Sequence, residues 1–183
     1  MHELPDEARD LLVELDAPQR LLAHHALVHD VAWTILDGLA ERWHAFPVDR
    51  HAVLMGAATH DVGKAIYRDE MRGPGRRHEI EGEAILQAHG FPENLARFAK
   101  THGQWSLEPS PTNEDLLVAL ANTVWIGRRN EYLEKLIIDR IIEFSGEPTW
   151  SVFAKFDDIL LDVGEGAGER LALYNAVPDE EEE

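Results

Sequence analysis

The chain has 183 residues, no cysteine and a formal net charge of −18. That length suffices for one domain with a real core, and the absence of cysteine excludes disulfides and thiolate metal sites. The acidity argues against general nucleic-acid or anionic-membrane binding, which needs a positive surface.

The predicted elements are all helices. Residues 1–17 carry a short amphipathic helix over about 5–16, and a long helix runs from about Pro18 to Trp43, stopping before Pro47. Another spans about 48–61 and is closed by Gly63. Residues 65–77 read as a loop or broken helix around Gly73-Pro74-Gly75. Helices follow at about 79–89, with Gly90 as a stop, and at 93–102 after Pro92. The proline-rich stretch 103–112 is loop. A strongly apolar helix covers about 114–127, then 131–144 up to Gly146, 149–162 and 166–175. No apolar run of 18 residues is present, and the acidic N-terminus lacks an apolar signal core, so a soluble cytoplasmic protein is expected. The expectation is an all-α fold in a single domain. Its parts are an N-terminal helix (1–17), a core (18–130), further helices of the same domain (131–176) and a disordered acidic tail (177–183).

The most informative residues are His60-Asp61, at the end of an apolar helix in Ala57-Ala58-Thr59-His60-Asp61-Val62-Gly63-Lys64. A carboxylate turned toward a core needs a cation or several donors. Helical periodicity finds companions for it. Leu27, Val28, Val31, Ile35 and Leu39 form a stripe with His24 at its centre, whereas His25 lies about 100° and His29 about 140° away, toward the rim or solvent. His78 aligns with Gly82 and Ile85, where Gly82 would let another helix come close. His102 aligns with Leu95, Phe98 and Ala99 at its helix end. Asn122 interrupts the run Leu116 to Ile126, where a buried amide must be hydrogen-bonded or must coordinate something. Each has an ordinary structural reading as a core histidine, cap or dipole partner. Together they require five helices to aim a polar group inward, which one metal centre explains. Histidine nitrogens with carboxylate and amide oxygens suit Fe, Mn, Co or Ni, with Mg or Zn as further options.

This pattern resembles the HD superfamily of metal-dependent phosphohydrolases. Leu21-Leu22-Ala23-His24-His25-Ala26-Leu27-Val28 is similar to the first motif of that family, and His60-Asp61-Val62-Gly63-Lys64 to the second. The similarity covers about residues 18–130. It implies a compact HD-type helical domain in which His24, His60, Asp61 and the residue at 122 hold one metal. Asp61 would bridge to a second metal, held also by His78 and His102. The family usually has Asp where this chain has Asn122. A natural variation, a weakened member and an introduced Asp→Asn change all fit that departure.

A phosphorylated substrate also needs fixed positive charge. Lys64, Arg68, Arg72, Arg76 and Arg77 begin just after the dyad and end just before His78. They are the candidate phosphate contacts, with Asp61 and Lys64 as the candidate catalytic residues. Other features have weaker functional readings. His25 and His29 have i,i+4 spacing, Trp105 could wall a pocket, Arg128 and Arg129 could meet an anion, and Glu79 and Glu81 could orient a ligand.

The leading expectation is a phosphomonoesterase or phosphodiesterase acting on a small phosphorylated compound, a nucleotide among the options, using one or two divalent ions, with an oligomer also open. The alternatives are an HD-type di-iron oxygenase and a weakly active or non-catalytic binding module, the latter motivated by Asn122.

Overall fold

A computed structural model describes residues 1–178. The helices are α1 (Asp6–Glu14), α2 (Gln19–Arg42), α3 (Arg50–Thr59), α4 (Arg77–Ala88), α5 (Glu93–Ala96), α6 (Phe98–Gln104), α7 (Asn113–Val124), α8 (Glu131–Ser145), α9 (Thr149–Glu165) and α10 (Ala167–Ala176). No strand occurs among the described residues, so the fold is all-α. Most of the acidic run falls at 179–183, outside the described residues, and the expectation of disorder there with it.

Local chemistry sets the boundaries. Prolines 5, 18, 92 and 148 stand just before α1, α2, α5 and α9 with extended ψ, where the chain has not yet entered the helix. Asp49 caps α3 by accepting from the Ala52 amide, and Asn130 caps α8 through the Leu133 amide. Thr112 and Asp115 form a reciprocal capping box on α7. Gly146 closes α8 at φ 68°, a left-handed conformation that glycine adopts without Cβ strain.

Two expectations are refined. The single helix at 93–102 is two, divided at Arg97, whose guanidinium is drawn to buried Asp115 at 2.7 Å. Asp115 also accepts from Thr101 Oγ1 at 2.8 Å, so one carboxylate ties α6 to the start of α7. The broken segment after the dyad contains two 3₁₀ turns, Val62–Ala65 and Arg68–Met71.

α2 lies at the centre, packed against α3, α7 and α9. The apolar interior forms two clusters. The larger contains Leu27, Val28, Ala57, Ala58, Phe98 and Leu120 among others. The smaller gathers Leu11, Leu12, Leu21, Val62, Leu86 and Ala99. α2 leaves the smaller cluster after Leu21 and enters the larger at Leu27. The α3 end leaves the larger after Ala58 and enters the smaller at Val62. His24 and His60-Asp61 fall between, so the polar residues stand at the seam of two cores.

Candidate metal centre

Asp61 is the hub. It follows the last turn of α3 and is buried (2% exposed), as is His60. Two groups of donors share it. His24 Nε2 lies 3.3 Å and His60 Nε2 3.6 Å from Asp61 Oδ2, and the two imidazole nitrogens are 3.1 Å apart. His78 Nε2 and His102 Nε2 each lie 3.3 Å from the other oxygen, Oδ1. These separations match neighbouring vertices of a coordination shell with bonds of about 2.1 Å, roughly 3.0 Å for an octahedron and 3.4 Å for a tetrahedron. Both sets, His24–His60–Asp61 and Asp61–His78–His102, have the composition and closeness to hold a divalent ion.

The far side of each ring explains how the near side is aimed. His60 Nδ1 donates to the Ala57 carbonyl at 3.0 Å, His102 Nδ1 to the Phe98 carbonyl at 3.1 Å and His78 Nδ1 to Glu70 at 2.6 Å. A proton held on Nδ1 leaves Nε2, the ring nitrogen nearer Asp61, with a free lone pair, as a metal ligand requires. Glu70 is itself buried and also accepts from the His78 and Arg77 amides and the Arg77 side chain. Burial works against the Glu70 carboxylate, but these donors outweigh it and bring its pKa to about 2.

Charge and burial oppose each other across the site. Burial would raise the Asp61 pKa, but the neighbouring His60 and the approach of His102, His24 and His78 hold it well below the carboxylate range. Burial drives the His60 pKa well down, so its ring is neutral and able to ligate. Burial also opposes a His78 cation, yet Asp61 and Glu70 on either side raise its pKa. The decisive atom is Asp61 Oδ1. It is buried with no hydrogen-bond partner, because both imidazoles approach it without hydrogen-bond alignment. An orphaned carboxylate oxygen facing two imidazoles fits a bound cation.

The family model described as HD domain matches residues 8–124. This chain belongs to the HD domain family. No curated protein and no solved structure matches it. The match begins ten residues before the resemblance read from the motifs and so includes α1, which packs on α3.

The HD motif geometry brings together His24, His60, Asp61, His78 and His102. Asn122 lines a cavity of about 150 Å³ together with His24, Asp61 and Lys64. Lys64 Nζ is 2.6 Å from Asp61 Oδ2. The cavity of about 390 Å³ beside α1 contains none of these side chains. The other basic candidates do not line the HD cavity. Arg68 binds the Asp16 carbonyl and carboxylate, and Arg77 pairs with Asp69 and Glu70 over the Tyr67 ring. Arg72 and Arg76 are exposed. Gly82 faces Ala99 of α6, the close approach its position suggested.

Several expectations are corrected. His25 and His29 do not face the rim or solvent: both are buried, while the His24 side chain is 12% exposed at the cavity. Neighbours cover α2 on three sides, so its apolar stripe does not mark its only buried face. Trp105 walls no metal cavity but packs on Tyr132. Arg129 is spent on Glu134 and Asp157. Glu79 accepts a hydrogen bond from Gln104 at 2.7 Å.

Sequence reasoning missed Glu70 and Tyr174. Glu70 lies in the segment read as basic, with no periodic signal. Tyr174 comes from α10, where no motif was assigned. It joins Trp125 and His24 as an aromatic wall, with ring centroids 5.3 Å apart for Tyr174–Trp125 and 5.1 Å for Trp125–His24.

Proposed function

We propose that this protein is a metal-dependent phosphohydrolase acting on a small phosphorylated compound, a nucleotide among the candidates. The observation that carries the reading is Asp61. It is buried and flanked by four histidines, leaves one oxygen unpartnered, and opens beside Lys64 onto a cavity.

A divalent cation held by Asp61 and these imidazoles would supply a water of lowered pKa and neutralise phosphoryl charge. The chain's own residues provide the rest. Lys64 presents its ammonium to the cavity, where it can pair with a phosphoryl oxygen. Asn122 offers a neutral amide that can donate to or accept from the bound group. Trp125 and Tyr174 exclude water from one side and give an organic moiety an apolar face. Arg72 and Arg76, exposed on the segment between Lys64 and His78, are the proposed outer contacts for a larger anion, with Arg68 and Arg77 fixing the segment's shape. A cavity of about 150 Å³ suits a phosphoryl group with a small substituent inside and the remainder of the substrate outside.

The test is release of phosphate, or of the alcohol, from model phosphomonoesters and phosphodiesters by protein loaded with Mn²⁺, Co²⁺ or Fe²⁺. Asp61→Asn is expected to lower turnover on the order of 10³-fold, comparable to the loss of a main electrostatic stabiliser. Metal binding without turnover of any ester would favour the binding module. Oxygen consumption with an organic substrate would favour the oxygenase.

A further inference from the structure

The two oxygens of Asp61 are in different states. Oδ2 has company: Lys64 Nζ lies 2.6 Å away and brings a full positive charge. The His24–His60 pair is also closed on itself. His60 Nδ1 donates to the Ala57 carbonyl, so His60 Nε2 is an acceptor. The 3.1 Å contact between the two Nε2 atoms then places the proton on His24 Nε2. That nitrogen has no lone pair for a metal in this tautomer, and among the described residues no acceptor holds a proton on His24 Nδ1 instead. Asn122, which lines the cavity beside His24 and Lys64, is a neutral amide and brings no negative charge here.

Oδ1 is the opposite case. It is buried with no hydrogen-bond partner. Both facing imidazoles have Nδ1 fixed by an acceptor, Glu70 for His78 and the Phe98 carbonyl for His102, so both bring an unprotonated Nε2 to 3.3 Å from Oδ1. Three electron-rich atoms converge there, and the Glu70 carboxylate makes His78 the more basic ligand.

We propose that this chain holds a single divalent cation, between Asp61 Oδ1, His78 and His102, and that Lys64 supplies the positive charge a second cation would supply at Asp61 Oδ2. The inference rests on reading the site as a metal centre and fixes its stoichiometry and order of affinity. Lys64 and Asn122 act together: the ammonium replaces a metal charge, and the amide removes the carboxylate that such a metal would need.

The experiment is calorimetric titration of chelator-treated full chain with Mn²⁺, alongside elemental analysis. The expected result is one equivalent. His78→Ala and His102→Ala should each weaken binding about 10–100-fold, while His24→Ala should change it less than about threefold. Lys64→Met with Asn122→Asp should raise the stoichiometry to two. Histidine-ring ¹⁵N spectra of the unmutated protein with Zn²⁺ give a readout independent of variant folding, with the Nε2 signals of His78 and His102 shifting and those of His24 and His60 staying. Two equivalents in the unmutated chain, or loss of binding with His24→Ala but not with His78→Ala, would overturn the proposal and leave the hydrolase reading standing. No metal bound under any condition would remove both.

Discussion

Glu70 shows how much a single residue outside the ligand set can decide. Its two oxygens take four donors from Arg77 and His78, including the Nδ1 proton of His78. The ring is thereby fixed in tautomer and direction. Gly75 makes this possible, because a Cβ there would stand 2.3 Å from the Glu70 carboxyl carbon and Oε1. Glu70→Ala is expected to weaken Mn²⁺ binding about 10–100-fold, read by calorimetry, with the helical circular-dichroism signal retained. Unchanged affinity would mean that backbone packing alone aims His78. Lys64 is the other single-residue determinant, and the sequence offered it without its partner. The His-Asp-Val-Gly-Lys spacing names the residue, but its ammonium is i+3 from Asp61 on a 3₁₀ turn, which is what brings it to Oδ2.

Among the elements, the contact of the Val62–Ala65 turn with α4 carries the site. Gly63 sits where a Cβ would meet the His78 carbonyl oxygen at 2.3 Å and its Cα at 2.6 Å. Backbone therefore touches backbone, and this closeness sets His78 at 3.3 Å from Asp61. Gly63→Ala must push α4 away. It is expected to cost about 1–3 kcal/mol in urea unfolding and to weaken metal binding at the same time. Gly164→Ala is the control: it lies in α9 with nothing within 4 Å of the added methyl. There the change should be neutral or stabilise by up to about 1 kcal/mol, because alanine favours helix and restricts the unfolded chain. Equal effects at the two glycines would reject close approach as the reason for Gly63.

For the molecule as a whole, the buried histidines govern stability in acid. Burial, helped by the charge of His2 and opposed by Asp30, lowers the His29 pKa to about 4, and burial with the charge of His24 lowers that of His25 to about 3. Each stays neutral in the folded state while its unfolded counterpart, near 6.5, takes up a proton first. Between about pH 6.5 and 4 the unfolded chain binds more protons, so stability is full above that window and falls as pH drops through it. His29→Gln should flatten this dependence by on the order of 1–3 kcal/mol in urea midpoints compared at pH 7 and 4.5. An unaltered slope would show that other groups carry the acid sensitivity.

By itself the sequence determined the all-α class, most helix limits and the four histidines that ring Asp61. These rest on local rules: prolines and glycines that stop helices, a 3.6-residue period, and a short HD motif whose spacing survives in one dimension. The orientation around α2 was not legible, because His24, His25 and His29 differ only in which neighbouring helix covers them. Nor were Glu70 or Tyr174, whose roles come from chain distant in sequence or without periodicity. Only the tertiary structure decided that the two carboxylate oxygens of Asp61 differ, one balanced by Lys64 and one left bare. The composition of a charged site can be read from residue types, but which atom faces which depends on angles and distances that arise only when separate helices meet.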